Sequence, residues 1–158
     1  MTKALCTVII AAALLAPTTA YAAQDALDRD LQTVCAGEAI EYSEADVELL
    51  ARLIYAEARG EDRNGKLVVA QCAIDRLKTG EWGHTLRKVI YAEGQFAALG
   101  RTNEECLEVA RAALEGERYS EDVVLYFRVT KRRTDWYAPY IQHVGDHALY
   151  GYAREVQP

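Results

Sequence analysis

Leu50-Ala51-Arg52-Leu53-Ile54-Tyr55-Ala56-Glu57-Ala58-Arg59-Gly60-Glu61 is the stretch from which the rest of the chain can be read. With Val47 upstream, its residues Leu50, Ala51, Ile54 and Ala58 fall at i, i+3, i+4, i+7 and i+11, the spacing of one buried helix face. Ser43 is the expected N-cap. Asp46 closes a capping box, a weaker one than Glu or Gln would make. Glu48 and Arg52 pair at i,i+4 on the outer face, and Gly60 is expected to stop the helix. At about 100° per residue, Glu57 lies within about 60° of Leu50, Leu53 and Ile54. Glu44, Glu48, Arg52, Tyr55 and Arg59 lie on the far side. A carboxylate on an apolar face is desolvated, which favours its protonated form, and a protonated carboxyl is what general acid catalysis requires. The same position also suits a buried glutamate paired with an arginine or capping a helix end.

Downstream, Asn64-Gly65 reads as a turn. A second helix is predicted from about Lys66 to Lys78, ended by Thr79-Gly80. Leu67 to Ile74 is apolar on most sides, so this is the expected central buried helix. A short helix is predicted over His84 to Tyr91. Another begins after Asn103 and is stopped by Gly116, with Cys106, Ala110, Ala113 and Leu114 on one face. After Ser120 the pattern changes: Val123 to Phe127 is β-branched and aromatic, the signature of a buried strand. Lys131-Arg132-Arg133 reads as a solvated turn. The segment from Trp136 to Tyr152 is rich in aromatic rings. The expected class is α+β, helix-dominated, with a small C-terminal β part.

Upstream, Lys3, the apolar run Ala4 to Leu15, Pro17 and the small-x-small triplet Ala20-Tyr21-Ala22 have the layout of a secretory signal peptide over residues 1–22. The run is short for a bilayer span, so no stable membrane insertion is expected after its removal, and the destination is periplasmic or secreted. Residues 23–42 form a polar lead-in, and 43–155 the domain. The 158 residues are 51% apolar with three prolines, which supports one cored domain and excludes a disordered chain. Removal of Lys3 with the signal leaves 17 basic against 24 acidic residues, a poor surface for nucleic acid. Export leaves Cys35, Cys72 and Cys106, read as one disulfide plus one buried thiol, the pair left open. No C-x-x-C spacing occurs, and no metal or cofactor is expected.

The string from Leu50 to Glu61 resembles the signature of the SleB-like cell wall hydrolases, the family that includes spore cortex-lytic enzymes. The resemblance continues in order over about residues 46–152. It takes in the helix Gly65 to Lys78 with its Asp75-Arg76 end, Val89-Ile90-Tyr91, Gly94-Gln95-Phe96 and Val109 to Gly116. It ends on Leu125-Tyr126-Phe127, Trp136, and Gly145-Asp146-His147 with Tyr150. It implies a lysozyme-like fold and cleavage of peptidoglycan glycan strands. It also implies one acid–base glutamate, here Glu57, as in lytic transglycosylases. Asp75 stands where Asn is usual, Ala97 where Ser is common after Phe96, and Asp146 where a second Gly precedes the histidine.

In this reading Glu57 protonates the leaving oxygen of the muramyl link. The sugar's own 6-hydroxyl then attacks, so no second carboxylate is needed. A muramidase or glucosaminidase-type hydrolase needs one, and Glu61 and Glu93 are its candidates, with Glu61 also read as structural and paired with an arginine. Gln95, at a glycine-permitted turn, and Phe96 are expected to contact substrate, together with His147. Tyr126, Trp136, Tyr137 and Tyr150 offer aromatic faces for sugars or ordinary core packing. Three other readings stand beside these: a zinc peptidase using His143 and His147, a Cys–His peptidase using Cys72 or Cys106, and a non-catalytic wall-binding or scaffold protein. Targeting has to come from this domain or from a protein partner.

Overall fold

A computed structural model describes residues 35–134 and 136–153, with the backbone alone at Cys35 and Ala36. The signal-peptide reading of residues 1–22 lies outside them. Among the described residues no helix is long and apolar enough to cross a membrane.

The helix α1, Glu44–Ala58, begins where Ser43 predicts it. Both halves of the capping box form: the Asp46 N–H donates to Ser43 Oγ at 3.4 Å and the Ser43 N–H to Asp46 Oδ2 at 3.0 Å. Val47, Leu50, Ala51, Leu53, Ile54 and Ala58 are buried, the face the spacing selects. The next helix, α2, runs Arg63–Thr79 and so starts earlier than its sequence suggested. Asp62 is the cap, accepting from the Gly65 N–H at 2.9 Å, so Asn64-Gly65 forms the first turn of the helix rather than a separate loop. Residues Gly65 to Arg76 of α2 are all buried, which confirms it as the central helix. Two shorter helices follow: α3, Leu86–Ile90, capped by Thr85, and α4, Glu104–Leu114, capped by Asn103. Leu50, Leu53, Ile54, Leu67, Val69, Val109 and Leu114 make one core between α1, α2 and α4.

Two small sheets, one of two strands and one of three, complete the fold of the described residues. Cys35–Ala36 (β1) pairs antiparallel with Glu117–Arg118 (β2), so the described fold starts ahead of Ser43. Val123–Val129 (β3), Tyr140–Val144 (β4) and His147–Tyr152 (β5) form an antiparallel sheet in the order β3-β5-β4. The aromatic C-terminal segment is thus a small sheet, as α+β predicted. Val124, Val144 and Leu149 of that sheet pack on Val68 and Cys72 of α2. The β4–β5 turn is carried by Gly145 at φ 53°, a left-handed conformation that a side chain disfavours.

The register of β3 on β5 slips between Val124 and Tyr126. The irregularity takes the Leu125 carbonyl out of the ladder and turns it to α2, where it accepts from Arg76 Nε at 2.7 Å and Cys72 Sγ at 3.2 Å. A second tie lies beside it. Arg118 holds Asp75 through two bonds of 2.7 and 3.0 Å, and Asp75 also accepts from the Val124 N–H at 2.9 Å. Gln71 adds bonds to Ser120 and Asp122 carbonyls and accepts from the Tyr119 and Ser120 N–H groups. Asp75, the residue that departs from the usual asparagine, therefore has a dedicated counter-charge.

Cys72 and Cys106 are both free, buried thiols. This corrects the expectation of one disulfide among Cys35, Cys72 and Cys106: Cys72 and Cys106 each fill a core position on their helices as free thiols. Burial pushes the Cys72 thiol up to about 12 and raises Cys106 as well. Neither forms the thiolate that a Cys–His peptidase needs.

Candidate active site

A groove of about 390 Å³ opens between the end of α1, the end of α2, the turn after α3, and the sheet. Glu57, Arg76, Trp82, Gly94, Gln95, Phe96, Tyr126, Phe127, Trp136 and Tyr137 line it. Glu57 reaches it from the last turn of α1. The carboxylate is half-buried at the groove wall, more open than the helix wheel predicts, because α1 ends there and its neighbour is a turn rather than a helix. That turn holds it: the Ala97 N–H donates to Glu57 Oε1 at 2.6 Å. Oε2 has no hydrogen-bond partner among the described residues. Since the contact comes from a main-chain group, the alanine found in place of serine leaves it intact.

Gly94 at φ 69° lets the chain reverse after α3 and brings Gln95 and Phe96 to the groove. Gln95 Nε2 donates to the Glu93 carbonyl at 3.3 Å, a local bond that leaves the amide at the rim. Tyr126 comes from β3 just beyond the slipped register. Its ring packs on Trp82 (5.9 Å), Tyr137 (5.7 Å) and Trp136 (6.5 Å), and burial raises its phenol above the ordinary value, so the hydroxyl stays protonated. Trp136 and Tyr137 pack against each other with ring centres 4.4 Å apart and planes tilted by 41°, and are 44% and 70% exposed, an apolar shelf open to solvent. The guanidinium of Arg128 covers Trp136 at 4.7 Å.

Glu57, Gln95, Phe96, Tyr126 and Trp136 thus share one groove. His147 and Tyr150 do not line it. His147 is 3% exposed and packs edge-on under Phe127 at 5.2 Å. Tyr150 is 1% exposed and supports Trp136 from behind at 5.7 Å. They lie on opposite faces of β5, and both faces are covered: His147 shares the α2 side with Leu149, and Tyr150 shares the other with Ala138 and Tyr140. Sequence reasoning missed Arg76 and Trp82 as groove residues. The signal for Arg76 was present: a charged pair, Asp75-Arg76, ends a helix that is otherwise buried all round. Trp82, in the loop after α2, carried none.

Neither candidate second carboxylate faces the groove. Glu93 is exposed on the turn. Glu61 lies against the β4–β5 turn, where a Cβ on Gly145 would meet its Oε2 closely, and it makes no ion pair with an arginine among the described residues. Among the described residues lining the groove, Glu57 is the one carboxylate. His143 and His147 sit on the two strands of a hairpin, not on one helix face. Both ring nitrogens of His143 are engaged, by Tyr140 Oη and the Thr130 carbonyl, each at 2.7 Å.

Residues 60–150 match the Cell Wall Hydrolase family. The chain is 29% identical over 114 residues to the spore cortex-lytic enzymes of Oceanobacillus iheyensis and Bacillus subtilis. Those matches cover 67% of this chain and 41% and 37% of the relatives, so the chain spans about two fifths of their length. It is 33% identical over 122 residues to the cell wall hydrolase CwlJ of Bacillus subtilis, covering 67% of this chain and 84% of CwlJ. The crystal structure of the catalytic domain of the Bacillus cereus SleB protein shares the fold, with a TM-score of 0.62 over 72% of this chain and 94% of that one at 24% identity. The protein belongs to the Cell Wall Hydrolase family.

Proposed function

We propose that this chain is an exported enzyme that cleaves peptidoglycan glycan strands between N-acetylmuramic acid and N-acetylglucosamine, as a lytic transglycosylase with Glu57 as its acid and base. The observation that carries the reading is a single carboxylate beside an aromatic shelf, with one oxygen fixed and the other open. The family match begins at Gly60, so the role of Glu57 rests on this geometry and on the resemblance of its helix. The names of the relatives support a wall polymer as substrate.

In the proposed reaction the Ala97 N–H holds Glu57 Oε1 and fixes the aim of the carboxyl group. Glu57 gives its proton to the glycosidic oxygen as the C1–O bond breaks, leaving oxocarbenium character on the muramyl ring. The muramyl 6-hydroxyl closes on C1, Glu57 takes back the hydroxyl proton, and a 1,6-anhydro end results. Water takes no part, and the carboxyl returns to its starting state. A hydrolase would place a second carboxylate at a fixed separation across the sugar, and none lines the groove among the described residues.

The test is mass spectrometry of products from purified sacculi treated with the mature protein and, in parallel, with Glu57→Gln. Muropeptides with 1,6-anhydro ends, absent with the variant, support the reading. Reducing ends establish a hydrolase. Free peptides, or sacculus binding with no product from either protein, overturn glycan cleavage.

A further inference from the structure

The guanidinium of Arg76 is unusual in its surroundings. It is 4% exposed and has no carboxylate partner among the described residues. Nε is tied to the Leu125 carbonyl at 2.7 Å. Its carbon lies 4.7 Å from the ring centres of Trp82 and Phe96 and 5.2 Å from that of Tyr126. Nη1 is buried with no hydrogen-bond partner. All four of these residues line the same groove as Glu57.

Ring faces attract a cation but accept no directed hydrogen bond of ordinary strength, so they hold the charge without satisfying its donors. An orphaned donor of a charged group is costly to bury. A fold that keeps one at the wall of a groove gains when a ligand oxygen completes it. The neighbouring arginine in this packing, Arg118, shows the contrast: it is paired to Asp75 and has no such vacancy.

We propose that Arg76 is a substrate-positioning residue, whose Nη1 donates to an acyl oxygen of an N-acylated sugar bound in the groove. The inference rests on the glycan-cleaving reading and adds a specificity to it. The aromatic cage sets the cation at a fixed depth and excludes water, so an oxygen on a planar acyl group entering between the rings is the acceptor that fits. A sugar lacking that group leaves Nη1 unpaired and binds less well. Two acyl oxygens on peptidoglycan have this chemistry, the acetamido carbonyl and the lactyl carboxyl of the muramyl residue.

The experiment uses the mature Glu57→Gln protein, which binds without turning over, and follows arginine side-chain N–H resonances during titration. The probes are peptide-free glycan strands, the same strands after N-deacetylation, and N-acetylglucosamine tetrasaccharide. Arg76 is identified by through-bond assignment of backbone and arginine side-chain resonances in the Glu57→Gln protein itself. The expected result is movement of that resonance on binding, with affinity about tenfold or more weaker in Arg76→Lys, the value of one charge-assisted bond. Loss of binding on N-deacetylation assigns the acetamido oxygen. Retained binding to deacetylated strands together with no binding of the tetrasaccharide assigns the lactyl group. An unmoved Arg76 resonance during saturable binding overturns the proposal and leaves glycan cleavage standing, and this readout needs no folded Arg76 variant. Equal affinities for Arg76→Lys and parent also overturn it. No binding of any glycan overturns the underlying reading itself.

Discussion

Asp75 and Arg76 are adjacent on α2, equally buried, and oppositely equipped. Asp75 faces β2 and the start of β3, where its neighbours satisfy it: two bonds from Arg118, one from a main-chain N–H and a longer one from Gln71 Nε2 at 3.3 Å. Arg76 faces the groove, where three rings and a single carbonyl surround it and Nη1 is left without a partner. One side of the helix end is closed and the other is open. A buried charge with all its bonds made fixes two elements together, whereas a buried charge with a bond to spare sits where something else is to bind. The sites where polar satisfaction fails and where it succeeds are about one residue apart, so the groove wall is set by the same ties that fasten α2 to the sheet.

The largest effect expected on the open side is from Glu57→Gln. The amide keeps the shape and the Ala97 contact but gives no acid, so turnover of sacculi falls by about 10²- to 10⁴-fold. Stability to urea stays close to that of the parent. A variant that loses activity and unfolds early would place Glu57 on the structural side of the comparison.

On the closed side, Asp75→Ala strands Arg118 in the interior, and the expected loss is about 3–5 kcal/mol of unfolding free energy. Asp75→Leu combined with Arg118→Met removes both charges and recovers much of that loss, because no charge is left uncompensated. Denaturant midpoints of the single and double variants decide it. Equal losses would mean the pair contributes more than mutual compensation.

The two sides were not equally legible. Helical spacing, the Ser43 box, the buried α2 and the strand after Ser120 follow from local chemistry, since caps and periodicity are written in neighbouring residues. Glu57, Gln95, Phe96, Tyr126 and Trp136 were legible through a family resemblance and a helix wheel. The burial of His147 and Tyr150 was not legible, because it depends on both faces of β5 being covered, one by α2 and the other by residues around Ala138 and Tyr140. The start of α2 was misjudged because Asp62 competes with Asn64-Gly65 for the chain, and its carboxylate wins by capping a long helix. The disulfide expected among Cys35, Cys72 and Cys106 was misread because an oxidising compartment says only what thiols can do, while Cys72 and Cys106 each end in the core as free thiols.

Cys72 gives a third measurement, on the tie between α2 and the slipped register of β3. Its folded thiol, at about 12, holds a proton that the unfolded chain releases near the thiol's ordinary value of 9.0. A raised acid favours the unfolded state once pH exceeds that ordinary value, so stability is full below it and falls between roughly 9 and 12, by up to about 1.4 kcal/mol per pH unit for one proton. Urea midpoints at rising pH show the slope, and Cys72→Ala makes it shallower, the remainder coming from the raised Cys106 thiol and Tyr126 phenol. At pH 8 a thiol reagent labels neither Cys72 nor Cys106 until the protein unfolds. Labelling of the native protein would contradict their burial.

The smallest effect belongs to the contact the sequence announces most clearly. Glu48 and Arg52 stand one turn apart on the outer face of α1 and bond at 2.5 Å, with about half of each side chain in water. Water screens the pair, and holding two long side chains together costs conformational freedom, so Arg52→Ala is expected to change stability by less than about 0.5 kcal/mol. Arg118 and Asp75 are 43 residues apart, invisible to any spacing rule, and their separation costs several times more. Sequence proximity determines whether a pair can be read, while solvent exposure determines what it is worth. A loss above 1.5 kcal/mol in Arg52→Ala, by the same urea measurement, would break that separation and require the exposed face of α1 to be packed against something outside the domain.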